Sequence, residues 1–168
     1  MTTKLATTVL LLAALAVASA EAGWGSTTST TSQPRVLRLV GVDESFTSIG
    51  VSETAPQKIG DRFLFTTGLY HRGSRRDRPN GKRIGRGTSL CTVTAADGRE
   101  IACSGSLRLP GGYILIEGAL RPAGRVHVAA VIGGVGHYAN ARGTAAFHLL
   151  KRTPDGAETD AIIVRLVP

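Results

Sequence analysis

The chain has 168 residues, with 20 Lys and Arg against 12 Asp and Glu, and carries a net charge of +8 at neutral pH. That length suits one ordinary domain with its own core and leaves no room for a second. Two cysteines without C-x-x-C spacing give too few ligands for a structural metal site, and no serine triad or phosphate loop points to a hydrolase or a transferase.

Residues 1–20 read as a secretory signal peptide. Lys4 supplies the positive start, "LATTVLLLAALAVA" is an apolar stretch short for a membrane span, and "ASA" before Glu21 fits a small-residue cleavage site. The mature protein is then expected outside the cell, with no membrane span. Residues 21–34, "EAGWGSTTSTTSQP", read as a flexible Ser/Thr-rich leader, and residues 35–168 as the single domain.

Within that domain, alternation and turn signals predict eight strands and no helix, over about 35–44, 60–70, 83–95, 99–109, 112–121, 124–132, 142–151 and 159–167. The later connections, "ADG", "PGG", "PAG" and "TPDG", are short and carry Gly with Pro or Asp, so sequential strands pair as antiparallel neighbours. Such a meander hides its edges by closing, which predicts an all-β, eight-stranded antiparallel up-and-down β-barrel. A two-sheet sandwich is the alternative.

Residues 71–87, "HRGSRRDRPNGKRIGRG", hold seven Lys or Arg and one Asp, so nearly all the excess charge sits there. The segment is expected to be a mobile hairpin in which Arg72, Arg75, Arg76, Arg78, Lys82 and Arg83 make weak polyanion contact. It lacks the stacking aromatics or recognition helix of a specific nucleic-acid binder.

The loop Ala96-Asp97-Gly98 pairs Val93 with Ile101 and Cys91 with Cys103, which predicts a Cys91–Cys103 disulfide. Counting "PGG" as a three-residue loop sets Leu109 against Tyr113, Leu107 against Leu115 and Gly105 against Glu117. Cys91, Val93, Ile101, Cys103, Leu107, Leu115 and Ala119 then share one face with Glu117. If that face points inward, Glu117 is a carboxylate in an apolar lumen, paired or functional; if outward, it is merely solvated. "GGVGHYANARGTA", residues 133–145, is read either as a loop between strands, pinned by Arg142, or as the rim of a cavity displaying His137, Tyr138, Asn140 and Arg142. His127 and His148 are expected to face each other across neighbouring strands as surface imidazoles, with no metal bound.

"IGDRFLFTTGLYH", "GKRIGRGTSLCTV", "LPGGYILIEG" and "AVIGGVGHYANARGTA" together resemble the dirigent and allene oxide cyclase-like barrel family in its bacterial secreted branch. The likeness spans residues 36–167, with the signature G-G-x-G-x-Y/F-x-x-A-R-G as its most specific part. It implies an eight-stranded barrel with a lumen open at one end, often a homotrimer, and either steering of phenoxy-radical coupling or ring closure of reactive polyenes and epoxides. On the matching positions it makes Arg142 and Tyr138 the motif residues, with His137 beside them. Thr66, Thr67 and Gly68 stand where relatives usually carry an acidic pair, and Glu117 where they often have Gln.

Two functions follow as expectations. The first is a secreted barrel, with no cofactor, that binds a small apolar or aromatic ligand in its lumen and guides coupling or cyclisation. In an enzyme this would be an isomerase or cyclase activity, with Arg142, His137, Tyr138 and Glu117 as lumen residues. The second is a non-catalytic barrel that binds through its basic hairpin.

Overall fold

The computed structural model describes residues 35–50, 57–73 and 79–167, and the signal and leader segments lie outside them. Eight strands follow one another: β1 (Arg35–Ile49), β2 (Arg62–Arg72), β3 (Pro79–Val93), β4 (Ile101–Leu109), β5 (Gly112–Leu120), β6 (Val126–Gly136), β7 (Arg142–Arg152) and β8 (Glu158–Val167). Each pairs with its sequence neighbour, and β1 closes on β8, giving a closed barrel. The predicted barrel, strand order and antiparallel pairing all hold.

Alternation decides the interior. Leu37, Leu39 and Gly41 on β1 oppose Val164, Ile162 and Asp160 on β8 and point inward with them, and Asp43, opposite Thr67 on β2, keeps the same parity. Leu69, Leu107, Leu109, Ile114, Val131, Ala145, Ile162, Val164 and Leu166 form one buried cluster with Tyr138. These residues come from the end of the barrel where β1 and β7 begin, so that end is filled with side chains. A smaller cluster of Phe63, Cys91, Val93 and Ile101 lines part of the opposite end.

Two details differ from the sequence expectation. Leu109 pairs with Gly112, so the β4–β5 connection is the two-residue turn Pro110–Gly111, and Gly111 takes a left-handed φ of 85°. Gly105 therefore faces Ile116, and Glu117 faces Ser104. A one-residue change of register turns every side chain to the other face. Cys91, Val93, Ile101, Cys103 and Leu107 do point inward, but Leu115, Glu117 and Ala119 lie on the outer face, where Ile114 and Ile116 leave them.

The second difference concerns the basic segment. β2 runs to Arg72 and β3 starts at Pro79, with His71 opposite Asn80 and Arg72 opposite Pro79. Within the expected hairpin, His71, Arg72, Pro79, Asn80 and Gly85 to Gly87 are ladder, and Gly81 to Ile84 form an irregularity between the two paired stretches. Lys82, Arg83 and Arg86 are strand residues, while Arg75, Arg76 and Arg78 lie outside the described residues.

Bulges break the ladders at places that matter later. Glu44 is extra between Asp43 and Ser45, Ile132 is extra opposite Leu115 and Ile116, and Leu150 is extra opposite Asp160 and Thr159. A bulge bends the strand and re-aims its neighbours, and bulges gather at barrel rims.

Candidate functional site

A cavity of about 780 Å³ opens at the end of the barrel opposite the Tyr138 plug. An eight-stranded barrel has room for one small ligand, and this volume fits that scale. Phe65, Ile116, Ala129 and Phe147 supply apolar wall, and the disulfide-bonded Cys91 and Cys103 (S–S 2.01 Å) supply another part. Val93 opposes Ile101 and Cys91 opposes Cys103, the pairing predicted from the three-residue turn. At the rim Phe46 stacks on Phe63 at 5.4 Å and meets Phe65 edge-on at 5.1 Å between centroids, holding an aromatic edge over the opening.

The acids of the cavity gather mainly on β1 and β8, with Arg152 at the end of β7, Thr67 on β2 and His127 on β6 beside them. Asp43, Glu158, Asp160, Arg152, Thr67 and His127 all border it. Asp43 Oδ1 accepts from the Thr67 hydroxyl at 3.2 Å, and its Oδ2 accepts from the Glu158 backbone N–H at 3.1 Å. Arg152 Nε donates to Glu158 Oε1 at 2.7 Å, tying the third acid down as an ion pair. Asp160 has no such donor among the described residues. Burial raises its pKa from 3.8 to about 7, the charges of Glu158 and Asp43 push the same way, and Arg152 opposes them. Burial also raises the pKa of Asp43, against the two hydrogen bonds that favour its charged form. Two carboxyls on neighbouring strands thus sit in different environments, the arrangement that separates a proton donor from a charged partner. The bulges at Glu44 and Leu150 flank these two aspartates and aim both into the opening.

The residues singled out from sequence lie elsewhere. Gly133 to Gly136 continue β6 as paired strand, so the loop of the motif is only His137 to Ala141. It crosses the filled end of the barrel. Tyr138 is 6% exposed within the main core cluster, and the Arg35 guanidinium lies over its ring at 5.1 Å. His137 is exposed, and its backbone N–H donates to the Gly111 carbonyl at 2.8 Å, joining the motif loop to the β4–β5 turn. Arg142 Nη1 donates to the Ile132 carbonyl at 2.7 Å and to the Ala141 carbonyl at 2.9 Å. Ile132 is the bulge residue, whose backbone the ladder leaves over, so Arg142 closes the bulge and fixes the loop. None of these three side chains borders the cavity.

Glu117 touches the cavity rim but is exposed on the outer face. His127 opposes Phe147 and His148 opposes Val126, so only His127 turns toward the cavity. Sequence reading missed the acids Asp43, Glu158 and Asp160. Their signal was present: Asp160 occupies the inward parity of β8 with Ile162, Val164 and Leu166, and Asp43 that of β1 with Leu37 and Leu39.

No protein-family model matches the sequence, and no curated protein is similar to it. Solved structures share its fold. A pterocarpan synthase dirigent protein superposes with a TM-score of 0.66 at 15% identity, over 82% of this chain and 96% of its own. Pyocyanin demethylase gives a TM-score of 0.62 at 20% identity, over 79% of this chain and 100% of its own. AbnU, an exo-specific intermolecular Diels-Alderase, gives 0.57 at 17% identity, over 79% and 98%. At the level of fold, the chain is a closed eight-stranded barrel of the kind found in dirigent proteins and Diels-Alderase cyclases.

Proposed function

We propose that this is a secreted barrel that takes a small apolar or aromatic molecule into its acidic-mouthed cavity and guides an acid-assisted coupling or cyclisation there. One observation carries the reading: in an apolar-walled cavity, Asp160 is poised to hold a proton near pH 7 beside an Asp43 whose charged form is hydrogen-bonded. The aromatic rim and Phe147 hold the ligand's flat surface and exclude water, fixing one conformer for reaction. Asp160 then donates its proton to a departing hydroxyl or to a carbonyl oxygen, and the Asp43 carboxylate faces the positive charge that develops on the ligand. His127, on β6, also borders the cavity and is the candidate to take up a proton released as the product forms. The activity would count as that of an isomerase or cyclase, as fold relatives named for pterocarpan synthesis and Diels–Alder chemistry suggest.

Secretion is supported by the residues 1–20 pattern and by the cross-strand disulfide, a bond kept in oxidising surroundings. Association into a small oligomer, a trimer by resemblance, is supported by Val126, Val128 and Ile132, which stand exposed on the outer face of β6.

The test is a screen of benzylic and allylic alcohols for stereoselective loss of water or ring closure. Asp160→Asn should abolish turnover while still binding the substrate, and Asp43→Asn should slow it. Turnover unchanged in Asp160→Asn would overturn the assignment.

A further inference from the structure

The outer wall carries a second feature, independent of the lumen. Gly85, Gly87, Leu107 and Leu109 point inward, so Arg86 on β3 and Arg108 on β4 point outward, and the register sets them directly opposite each other. Like charges placed opposite across two strands repel and destabilise the pair. Next along the same face, Thr88 opposes Ser106, and across β5 Tyr113 opposes Arg108. Arg83, Arg86, Thr88, Ser106 and Arg108 line a surface groove of about 760 Å³ beside Pro110. Among the described residues one acid reaches it: Glu44 binds Arg83 Nη1 at 2.6 Å and Arg86 Nη2 at 3.4 Å. Arg108 makes no ion pair among the described residues. Glu117, the next acid on this face, pairs with Ser104 two rows away.

We infer that this groove is a binding site for a tetrahedral oxyanion ester, a phosphate or sulfate group carried on a small molecule. The anion sits between the Arg86 and Arg108 guanidiniums, whose planar forks each offer two parallel N–H donors to its oxygens. Thr88 and Ser106 donate hydroxyl hydrogens from the adjoining row. Glu44 already offsets Arg83 and part of Arg86, which orients those forks and leaves Arg108 as the uncompensated charge. The groove is far larger than the anion, so it has space for the group that carries it. Glu44 also borders the cavity mouth, but Arg86, Arg108, Thr88 and Ser106 do not, so the inference stands or falls separately from the proposed lumen chemistry.

Thermal unfolding of the full-length mature protein at low ionic strength tests it, with glucose 6-phosphate, glucose 6-sulfate, inorganic phosphate and sodium chloride compared at matched ionic strength. Both esters should raise Tm beyond the chloride control and saturate, with inorganic phosphate weaker. Arg108→Gln should keep or raise the Tm measured in chloride, because it relieves the repulsion, and should weaken ester affinity about tenfold or more. Arg165→Gln, an exposed arginine on β8, should retain the full response. The inference is overturned if chloride reproduces the rise, if inorganic phosphate alone matches the esters, or if Arg108→Gln binds them as wild type does.

Discussion

Asp43 and Asp160 are the same side chain on adjacent strands, and their surroundings make them different acids. Asp160 retains its proton up to about pH 7, whereas the unfolded chain releases it near 3.8. Between those values folding takes up a proton, so stability is greatest below the unfolded value and falls as pH rises through the folded one. Full shielding of such a shift would be worth roughly 4 kcal/mol, and solvent at the half-open mouth reduces it to about 1–2 kcal/mol. Wild type should therefore lose that much stability between pH 4.5 and pH 8 (roughly the window of the shift), and Asp160→Asn should flatten the slope; denaturant melts at the two pH values measure both. Arg142 gives the opposite kind of prediction. Its two bonds run to backbone carbonyls, so Arg142→Ala should cost about 1–2 kcal/mol and Arg142→Lys less, both leaving lumen binding intact. The sequence singles out Arg142, but its type alone does not say whether the fork holds a ligand or a bulge. Only the extra residue at Ile132, a feature of β5–β6 register, decides that.

At the scale of elements, local pairings were legible and distant ones were not. The Ala96-Asp97-Gly98 turn fixes its hairpin within a few residues, and from it follow the opposed cysteines and their bond. The β4–β5 turn misled because Gly111 and Gly112 both have positive φ, and two adjacent glycines permit either a two- or a three-residue loop. A Cβ on Gly112 would strike the Val135 carbonyl, so the close approach of β6 selects the shorter turn. The acids stayed hidden for a related reason. Asp43 and Asp160 meet through the β1–β8 pairing, the one contact between the two ends of the barrel sequence, and no turn signal announces it. Reducing the disulfide, or replacing both cysteines with serine, should cost about 2–3 kcal/mol by loop entropy, read as a lowered denaturation midpoint. The proposed association through β6 predicts that Val128→Lys is monomeric by light scattering where wild type is not, with the monomer's own melting temperature kept, since Val128 is 56% exposed.

At the scale of the whole molecule, the barrel has two unlike ends. One is plugged by Tyr138, Leu109 and Leu166 and tied off by the motif loop; the other opens between acids and phenylalanines. The motif that makes this chain resemble other barrels thus closes the floor of the cup, and the proposed chemistry lies at the mouth. The most direct test is a fluorescence titration with N-phenyl-1-naphthylamine, a neutral aromatic probe, on three proteins. Wild type should bind one molecule with Kd on the order of 10 µM. Ser89→Phe, which fills the cavity wall from β3, should abolish binding, while Tyr138→Phe at the plugged end should bind as wild type does. Unchanged binding in Ser89→Phe, or loss in Tyr138→Phe with the fold intact, would contradict the placement of the ligand site at the acidic mouth.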